Sequence, residues 1–323
     1  MRPWFSFEIV STEGNVRFYI WTRASNKNLI EAQFYGQYPN IEITEVPDYT
    51  DYMPYYDHHR FGLWGGNFKL TKPDPYPIRT YMDFGLDKDP KEEFKIDPLT
   101  PVIELLSMLG KGEHIWMQII FRAHKEKNDH GKGMFSKTTW QDEGRHLIKE
   151  LYESMQEEPD EEGGSGRRRA PTETEREVIK AIERSIRKYG FDVGIRGFYF
   201  AENDNFTGSR IPAFANIMKP FGSPSYKGDD EKFSFNSFSP DHTTDYDYPW
   251  QDFRQIRENK NRHHIVDAYR RRSFFFPPHV GHAFVLNSEE LATIFHPIGT
   301  TLQSPTVSRV TSKKFEGPSN LPR

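Results

Sequence analysis

The sequence predicts an α+β fold of mixed or antiparallel sheets with packed helices, arranged as two similar α+β halves. Within about 45 residues of the start, alternating and helical apolar patterns follow one another in the order β-β-α-β. A charged, Gly- and Ser-containing stretch over 157–170 separates two such patterned regions. The strand-loop-helix pattern that ends in FGSP at 221–224 also echoes the one over 16–40, which favours related halves.

The first half begins with a predicted β-hairpin. Apolar residues alternate over 5–9 and again over 16–20, and Gly14-Asn15 between them suits a tight turn. A helix is expected from about 26 to 36, followed by strand alternation at 41–43. The elements expected next are strands at 63–70 and 78–84, a helix at 97–109, a buried strand at 115–121 and a helix at 140–155.

The second half begins with a helix whose start is marked by a capping box. Thr172 and Glu175 have the spacing in which each side chain satisfies the other residue's backbone N–H. The elements expected after this helix are a strand at 193–200, a short helix at 211–219, a basic helix at 257–272 and a last helix at 288–296, capped by Ser288.

These elements define the predicted domain organisation. The segments are a first α+β half at 1–156, a flexible linker at 157–170, a second α+β half at 171–299, and a tail at 300–323.

Composition excludes several classes of function. The 323 residues carry a net charge of −4, which argues against a nucleic-acid-binding surface that covers the whole protein. Cysteine is absent, which excludes disulfides, thiolate nucleophiles and Cys-ligated zinc. No apolar run approaches the roughly 20 residues of a membrane-spanning helix, so no membrane span is predicted in this chain.

The stretch GKGMFSKT at 131–138 is close to the phosphate-binding pattern G-x-x-x-x-G-K-[ST], but Ser136 stands where the second glycine belongs. A polar stretch also separates it from the strand predicted at 115–121. We therefore favour a charged surface loop. A nucleotide hydrolase that uses Lys137 remains a weaker alternative.

Histidines give no strong metal or catalytic pattern. His263 and Asp267 have helical i, i+4 spacing, and Asp57 precedes His58 and His59, but two ligands do not make a site. No nucleophile elbow of the form G-x-S-x-G occurs either. We predict no catalytic residue, no metal site and no cofactor, with a hydrolase that uses a His/Asp site as a weak alternative.

The basic helix predicted at 257–272 carries the candidate binding residues. Ile265, Val266 and Tyr269 would pack inward. The side chains expected to face outward are Arg262, Arg270, Arg271 and Arg272. Arginines in a last helical turn also stabilise the helix dipole, so capping and contact with DNA or an acidic partner both stay open.

Three stretches carry a family resemblance: GNVRFYIWTRASNKNLIEAQFYGQYPNIEI (14–43), DPLTPVIELLSMLGKGEHIWMQIIFRAH (97–124) and AFVLNSEELATIFHPIG (283–299). Together they resemble the N-terminal, non-catalytic region of conjugation and type IV secretion ATPases of the HerA/FtsK superfamily, of the kind predicted in many candidate-phylum bacteria. In such proteins an α+β region precedes the motor. The resemblance implies that the tail at 300–323 leads towards an ATPase domain whose P-loop lies beyond Arg323.

The resemblance implies a non-catalytic accessory domain that docks to an ATPase motor, to sibling subunits in a ring, or to secretion channel components. It also implies a cytoplasmic location, at the inner face of the membrane through partners. The alternative is a DNA-binding module that uses the basic helix.

Overall fold

A central antiparallel sheet organises the chain, whose fold we describe from a computed structural model. The structure describes residues 2–38, 41–86, 97–125, 127–128, 137–155, 170–223, 232–241 and 255–297. The sheet strands are β1 (Phe5–Thr12), β2 (Asn15–Trp21), β3 (Phe61–Leu70), β4 (Glu113–Ala123), β7 (Gly190–Glu202), β8 (Phe238–Asp241) and β11 (Phe284–Asn287). Two short hairpins lie outside it, formed by β5 (Lys127–Asn128) with β6 (Lys137–Thr138) and by β9 (Phe275–Phe276) with β10 (His279–Val280).

The strand order of the sheet is β2-β1-β4-β7-β3-β8, and β11 pairs with β7 on the side of β3. Every pairing within it is antiparallel. The longest ladder joins β4 to β7, from Glu113 opposite Ala201 to Ala123 opposite Phe191. The residues of both strands are buried almost without interruption, as expected for the centre of a sheet that is covered on both faces.

Helices cover both faces of the sheet. They are α1 (Lys27–Gln37), α2 (Thr100–Ser107), α3 (Trp140–Glu153), α4 (Glu173–Ser185), α5 (Arg210–Ala215), α6 (Ile256–Arg270) and α7 (Ser288–Ile294). One core joins α2, α5 and α7 to one face of the sheet, and a second joins α6 to the other. A smaller cluster packs α3 against α4.

The α+β class predicted from the sequence is confirmed, together with the hairpin and the capping box. Thr172 accepts the backbone N–H of Glu175, and Glu175 accepts that of Thr172. The strands predicted at 41–43 and 78–84 are wrong, because those residues form no strand. The cap of the last helix is Asn287 and not Ser288, since the Asn287 side chain accepts the backbone N–H groups of Glu289 and Glu290.

Strands from both sides of the predicted linker lie side by side in this one sheet. β4 from the first predicted half pairs with β7 from the second, and β3 lies between β7 and β8. The similarity of the two halves stays a prediction. Apart from Ala170, the predicted linker at 157–170 lies outside the described residues, as does the tail at 300–323.

Candidate functional site

A row of buried polar side chains crosses the face of the sheet that carries α6. Glu8, Gln118 and Arg196 are register partners on β1, β4 and β7, and each is at most 2% exposed. The Gln118 amide joins them: its Nε2 donates to Glu8 Oε1 at 2.7 Å, and its Oε1 accepts from Arg196 Nη2 at 2.6 Å. Because each member has partners, the row can lie in an apolar interior at little cost.

The carbonyl end of α6 sits over this row. Arg196 donates to the backbone oxygens of Ala268 at 2.6 Å and Ser273 at 2.7 Å, and Gln118 donates to that of Tyr269 at 3.2 Å. A guanidinium at the negative end of a helix dipole is favourable. Burial lowers the pKa of Arg196 to about 9, which leaves it charged at neutral pH.

Arg272 completes the row from just beyond the end of α6. Its φ of 47° ends the helix and turns its side chain inward. Its guanidinium pairs with Glu8 at 3.1 Å and also with Asp48. Burial alone would lower the pKa of Arg272, but these carboxylates outweigh burial and raise it.

Arg262 and Arg270 are also engaged by the protein itself. Arg262 pairs with Glu258 one turn earlier at 3.4 Å, and its side chain is only 14% exposed. Arg270 donates to the backbone oxygen of Pro54 at 2.5 Å and lies 3.4 Å from Asp51. The expectation that all four arginines face outward is therefore wrong for Arg262 and for Arg272.

Arg271 is the most exposed of the four candidate arginines. Its side chain is 64% exposed, with its Nε 2.8 Å from Asp267 Oδ1. It also lines one side of a surface groove of about 310 Å³, which we call the aromatic groove. The groove is lined by Trp4, Arg271, Ser273 and the run 274–278.

Two glycines leave room for Phe274, a buried residue that forms the floor of the aromatic groove. A Cβ at Gly194 on β7 would lie 2.2 Å from Phe274 Cε1, and one at Gly281 would lie 2.4 Å from Phe274 Cζ. The buried Phe274 ring therefore needs both positions to be glycine. Its neighbours Phe275 and Phe276 form β9, which pairs with β10.

Half-buried aromatic rings and guanidinium groups pack against one another beside the groove. Trp4 stacks on Trp21 with centroids 6.2 Å apart, and Phe276 lies 6.1 Å from Trp4 on a tilted plane. Arg23 lies over the Trp4 ring at 5.2 Å, and Arg122 lies over Phe276 at 5.3 Å. These rings were not predicted as binding residues, although WTR at 21–23 and RRRSFFFPP at 270–278 place arginines beside aromatic residues.

Asp267 also anchors a chain of histidines. His279 Nε2 lies 2.6 Å from Asp267 Oδ2, and His279 Nδ1 lies 2.8 Å from His264 Nε2. Burial alone would raise the pKa of Asp267, but hydrogen bonds from Arg271 and His279 outweigh burial and lower it. The histidine that reaches Asp267 is thus His279 from β10, and not His263 as the sequence spacing suggested.

Within the described ranges, no group of three or more His, Asp or Glu side chains is arranged to hold a metal ion. His263 packs edge-on against Tyr56, with ring centroids 5.4 Å apart, and the rings of His58 and His59 lie 3.9 Å apart. In the GKGMFSKT stretch, residues 131–136 lie outside the described residues. Its last two residues form β6, a strand, whereas a P-loop runs into a helix at this point.

A family model described as a domain of unknown function (DUF8128) matches residues 1–296. The chain belongs to the DUF8128 family. The DUF8128 match spans both predicted halves, so the sheet, the polar row and the aromatic groove all lie within it. No curated protein and no solved structure gives a significant match to the chain.

Across the part of the chain that the structure describes, no helix combines the length and apolar character needed to cross a membrane.

Proposed function

We propose that this chain is a non-catalytic docking module of a DNA-translocating or type IV secretion (conjugation) ATPase. The resemblance of residues 14–43, 97–124 and 283–299 to the region that precedes such motors supports the assignment. Its work is positional: it holds the motor against sibling subunits or against secretion channel components at the inner face of the membrane.

The observation that carries the proposal is the exposure of α1. None of its eleven residues is buried, and two of its large apolar side chains are exposed, Leu29 at 58% and Tyr35 at 43%. Among its contacts with the rest of the chain, Phe34 packs edge-on against Phe7 at 6.2 Å, Lys27 pairs with Glu45 at 2.7 Å, and the Tyr35 hydroxyl accepts the backbone N–H of Ile43 at 3.4 Å. Apolar residues displayed on a helix beside an edge strand are typical of a surface that another protein covers.

The partner that we propose for α1 is a sibling subunit, because the resemblance implies motors that assemble as rings. Sedimentation velocity over a range of concentrations tests this. We expect the wild-type chain to exceed its monomer mass of 38.0 kDa at high concentration, and Leu29→Glu to return it to that mass.

Tyr189→Glu is the matched control, since Tyr189 is 84% exposed and lies between α4 and β7, away from α1. A wild-type chain that stays monomeric, or an equal effect of Tyr189→Glu, contradicts docking of sibling subunits through α1. The assignment to an ATPase is tested separately by the DNA that flanks the coding region. We expect a motor with an intact G-x-x-x-x-G-K-[ST] in the same or a neighbouring gene, and its absence contradicts the assignment.

A second candidate function is DNA binding, and one observation favours it. Of the four arginines predicted for this role, Arg271 is largely exposed and also lines the aromatic groove. Arg262 and Arg272 are occupied by carboxylates of the protein, so they contribute to folding and not to a DNA surface.

A further inference from the structure

We propose that the aromatic groove binds single-stranded nucleic acid, with bases stacked on its rings and phosphates held by the arginines around it. The proposal rests on the second candidate function, DNA binding, and it is independent of the docking function of α1, because the groove and α1 involve different elements. The observations that carry it are the ring faces, the charges beside them and the dimensions of the groove.

The rings supply platforms for stacking. Trp4 and Phe276 both line the groove and are only half-buried, so a base would stack on the ring surface that Arg23 over Trp4 and Arg122 over Phe276 leave open. Trp21 extends the series behind Trp4 at 6.2 Å. Proteins that bind single strands without sequence preference stack successive bases on such aromatic side chains.

The charges beside the rings suit a chain of phosphates. Arg271 lines the groove and Arg23 lies over Trp4, and both are exposed, whereas Arg2 and Arg122 both pair with Asp192. Together with Asp267, which pairs with Arg271, this set holds four arginines and two aspartates. The local excess of positive charge contrasts with the net charge of −4 of the whole chain. Local basic surfaces of this kind attract phosphate backbones.

The shape of the groove favours a single strand over a duplex. A volume of about 310 Å³ accommodates flat groups that are free to leave a stack, whereas duplex bases are paired and stacked within the helix. Proline-rich peptides also dock in aromatic grooves, but they carry no phosphates for Arg23 and Arg271 to bind.

Fluorescence anisotropy tests the proposal with a labelled 12-nucleotide oligo-dT at about 20 mM salt, using the full chain tagged at its C-terminus. We expect saturable binding that weakens as salt rises. Phe276→Ala should weaken it roughly five- to a hundredfold, the range for loss of one stacking platform. Arg271→Ala should weaken it and lower the slope of log affinity against log salt by about one.

Arg145→Ala is the matched control, because Arg145 is 69% exposed and pairs with Asp142 one turn away, as Arg271 does with Asp267. We expect no change in this variant. Melting temperatures report whether Phe276→Ala perturbs folding. If it does, Trp4→Phe serves as the second variant: it keeps a ring in place and should retain most of the affinity.

Three outcomes would overturn the proposal. They are the absence of binding at low salt, an equal loss in Arg145→Ala, and tighter binding of a 12-base-pair duplex than of the single strand. Quenching of tryptophan fluorescence by a proline-rich peptide, with no response to oligo-dT, would assign the groove to a peptide instead. Docking through α1 would remain untouched by any of these results.

Discussion

The guanidinium of Arg272 and the carboxylate of Glu8 meet inside the protein, although 264 residues separate them in the chain. Their side chains are 5% and 1% exposed. Glu8 also accepts hydrogen bonds from Ser6, Tyr49 and Gln118, so its carboxylate is fully engaged. This pair fixes the end of α6 to the centre of the sheet.

Arg272→Met should destabilise the fold by about 3–5 kcal/mol, because Glu8 would keep its charge without the cation that balances it. Urea unfolding at pH 7 measures the change. Glu8→Gln in the Arg272→Met background should recover part of the loss, since it removes the uncompensated charge. Arg271→Ala, at an exposed neighbour, should stay within about 0.5 kcal/mol of wild type. Equal losses in Arg271→Ala and Arg272→Met would contradict the assigned roles.

His114 should make the fold sensitive to acid. It is 2% exposed and stacks on Phe200 at 4.6 Å, and within the described ranges neither of its ring nitrogens has a hydrogen-bond partner. Burial lowers its pKa to about 4 from the ordinary 6.5. Above pH 6.5 it is neutral both folded and unfolded. Between pH 6.5 and 4 only the unfolded state takes up the proton, so the free energy of unfolding falls by about 3 kcal/mol.

The test of this pH dependence is His114→Phe, which keeps the stack on Phe200 but cannot take up a proton. Urea unfolding at pH 7, 5.5 and 4.5 should show a shallower loss of stability in the variant than in wild type. His146→Phe is the control, because His146 is 71% exposed. Parallel curves for wild type and His114→Phe would show that His114 does not contribute.

Asn287→Ala should cost about 1–2 kcal/mol, the usual range for loss of a helix cap. The Asn287 side chain accepts the N–H groups of Glu289 at 2.8 Å and Glu290 at 3.0 Å, and it donates to Ser185 at 2.8 Å. It therefore starts α7 and also ties it to α4. Ser288→Ala, at the exposed next position, should change the free energy of unfolding little. A larger loss of stability in Ser288→Ala than in Asn287→Ala would show that Ser288 is the cap, as the sequence suggested.

Gly194→Ala should destabilise the chain by about 1–3 kcal/mol, because the added methyl overlaps the Phe274 ring in a packed interior. The displaced ring would also change the floor of the aromatic groove. Thermal unfolding measures the first effect, and oligo-dT binding the second. Gly208→Ala is the control, since a Cβ there would have no atom of the described residues within 4 Å. If the two alanine variants unfold alike, the close approach of Phe274 does not constrain this position.

Asp267→Asn should strengthen binding of oligo-dT about two- to fivefold at low salt, because Asp267 partly neutralises Arg271 at 2.8 Å. Asparagine keeps the shape of the side chain and an oxygen that can accept from Arg271 or His279. Asp142→Asn beside Arg145 makes the same charge change at a residue that does not line the groove; Asp142 also closes the capping box of α3, so its melting temperature can fall, but its affinity for oligo-dT should stay unchanged. Weaker binding by Asp267→Asn at an unchanged melting temperature would contradict the role of Arg271.

Local chemistry made much of the fold predictable. The alternation that predicted a hairpin gave β1 and β2, and the spacing of Thr172 and Glu175 gave the start of α4. The strand expected at 41–43 failed because two alternating isoleucines are too short a pattern to specify a partner. The order of the strands was not predictable, since no local signal pairs β4 with β7 across 156–169.

The binding residues were less predictable than the elements that carry them. A helical projection places Arg272 outward, but the helix ends at Arg270 and the left-handed φ of Arg272 redirects its side chain. The projection was right for Ile265, Val266 and Tyr269, which are buried within α6. Trp4 enters the groove from the other end of the chain, so only the tertiary structure brings it to Arg271.

The polar row has a consequence for how the chain can assemble. Glu8, Gln118 and Arg196 satisfy one another only when β1, β4 and β7 are aligned residue for residue as found. A slip of two positions would keep apolar side chains on their proper faces, yet it would leave a buried charge opposite an apolar neighbour. The polar row therefore favours a single register of β1, β4 and β7. β7 comes after residues 156–169 in the chain, and its Arg196 finds the Gln118 amide only when β7 pairs with β4 in that register.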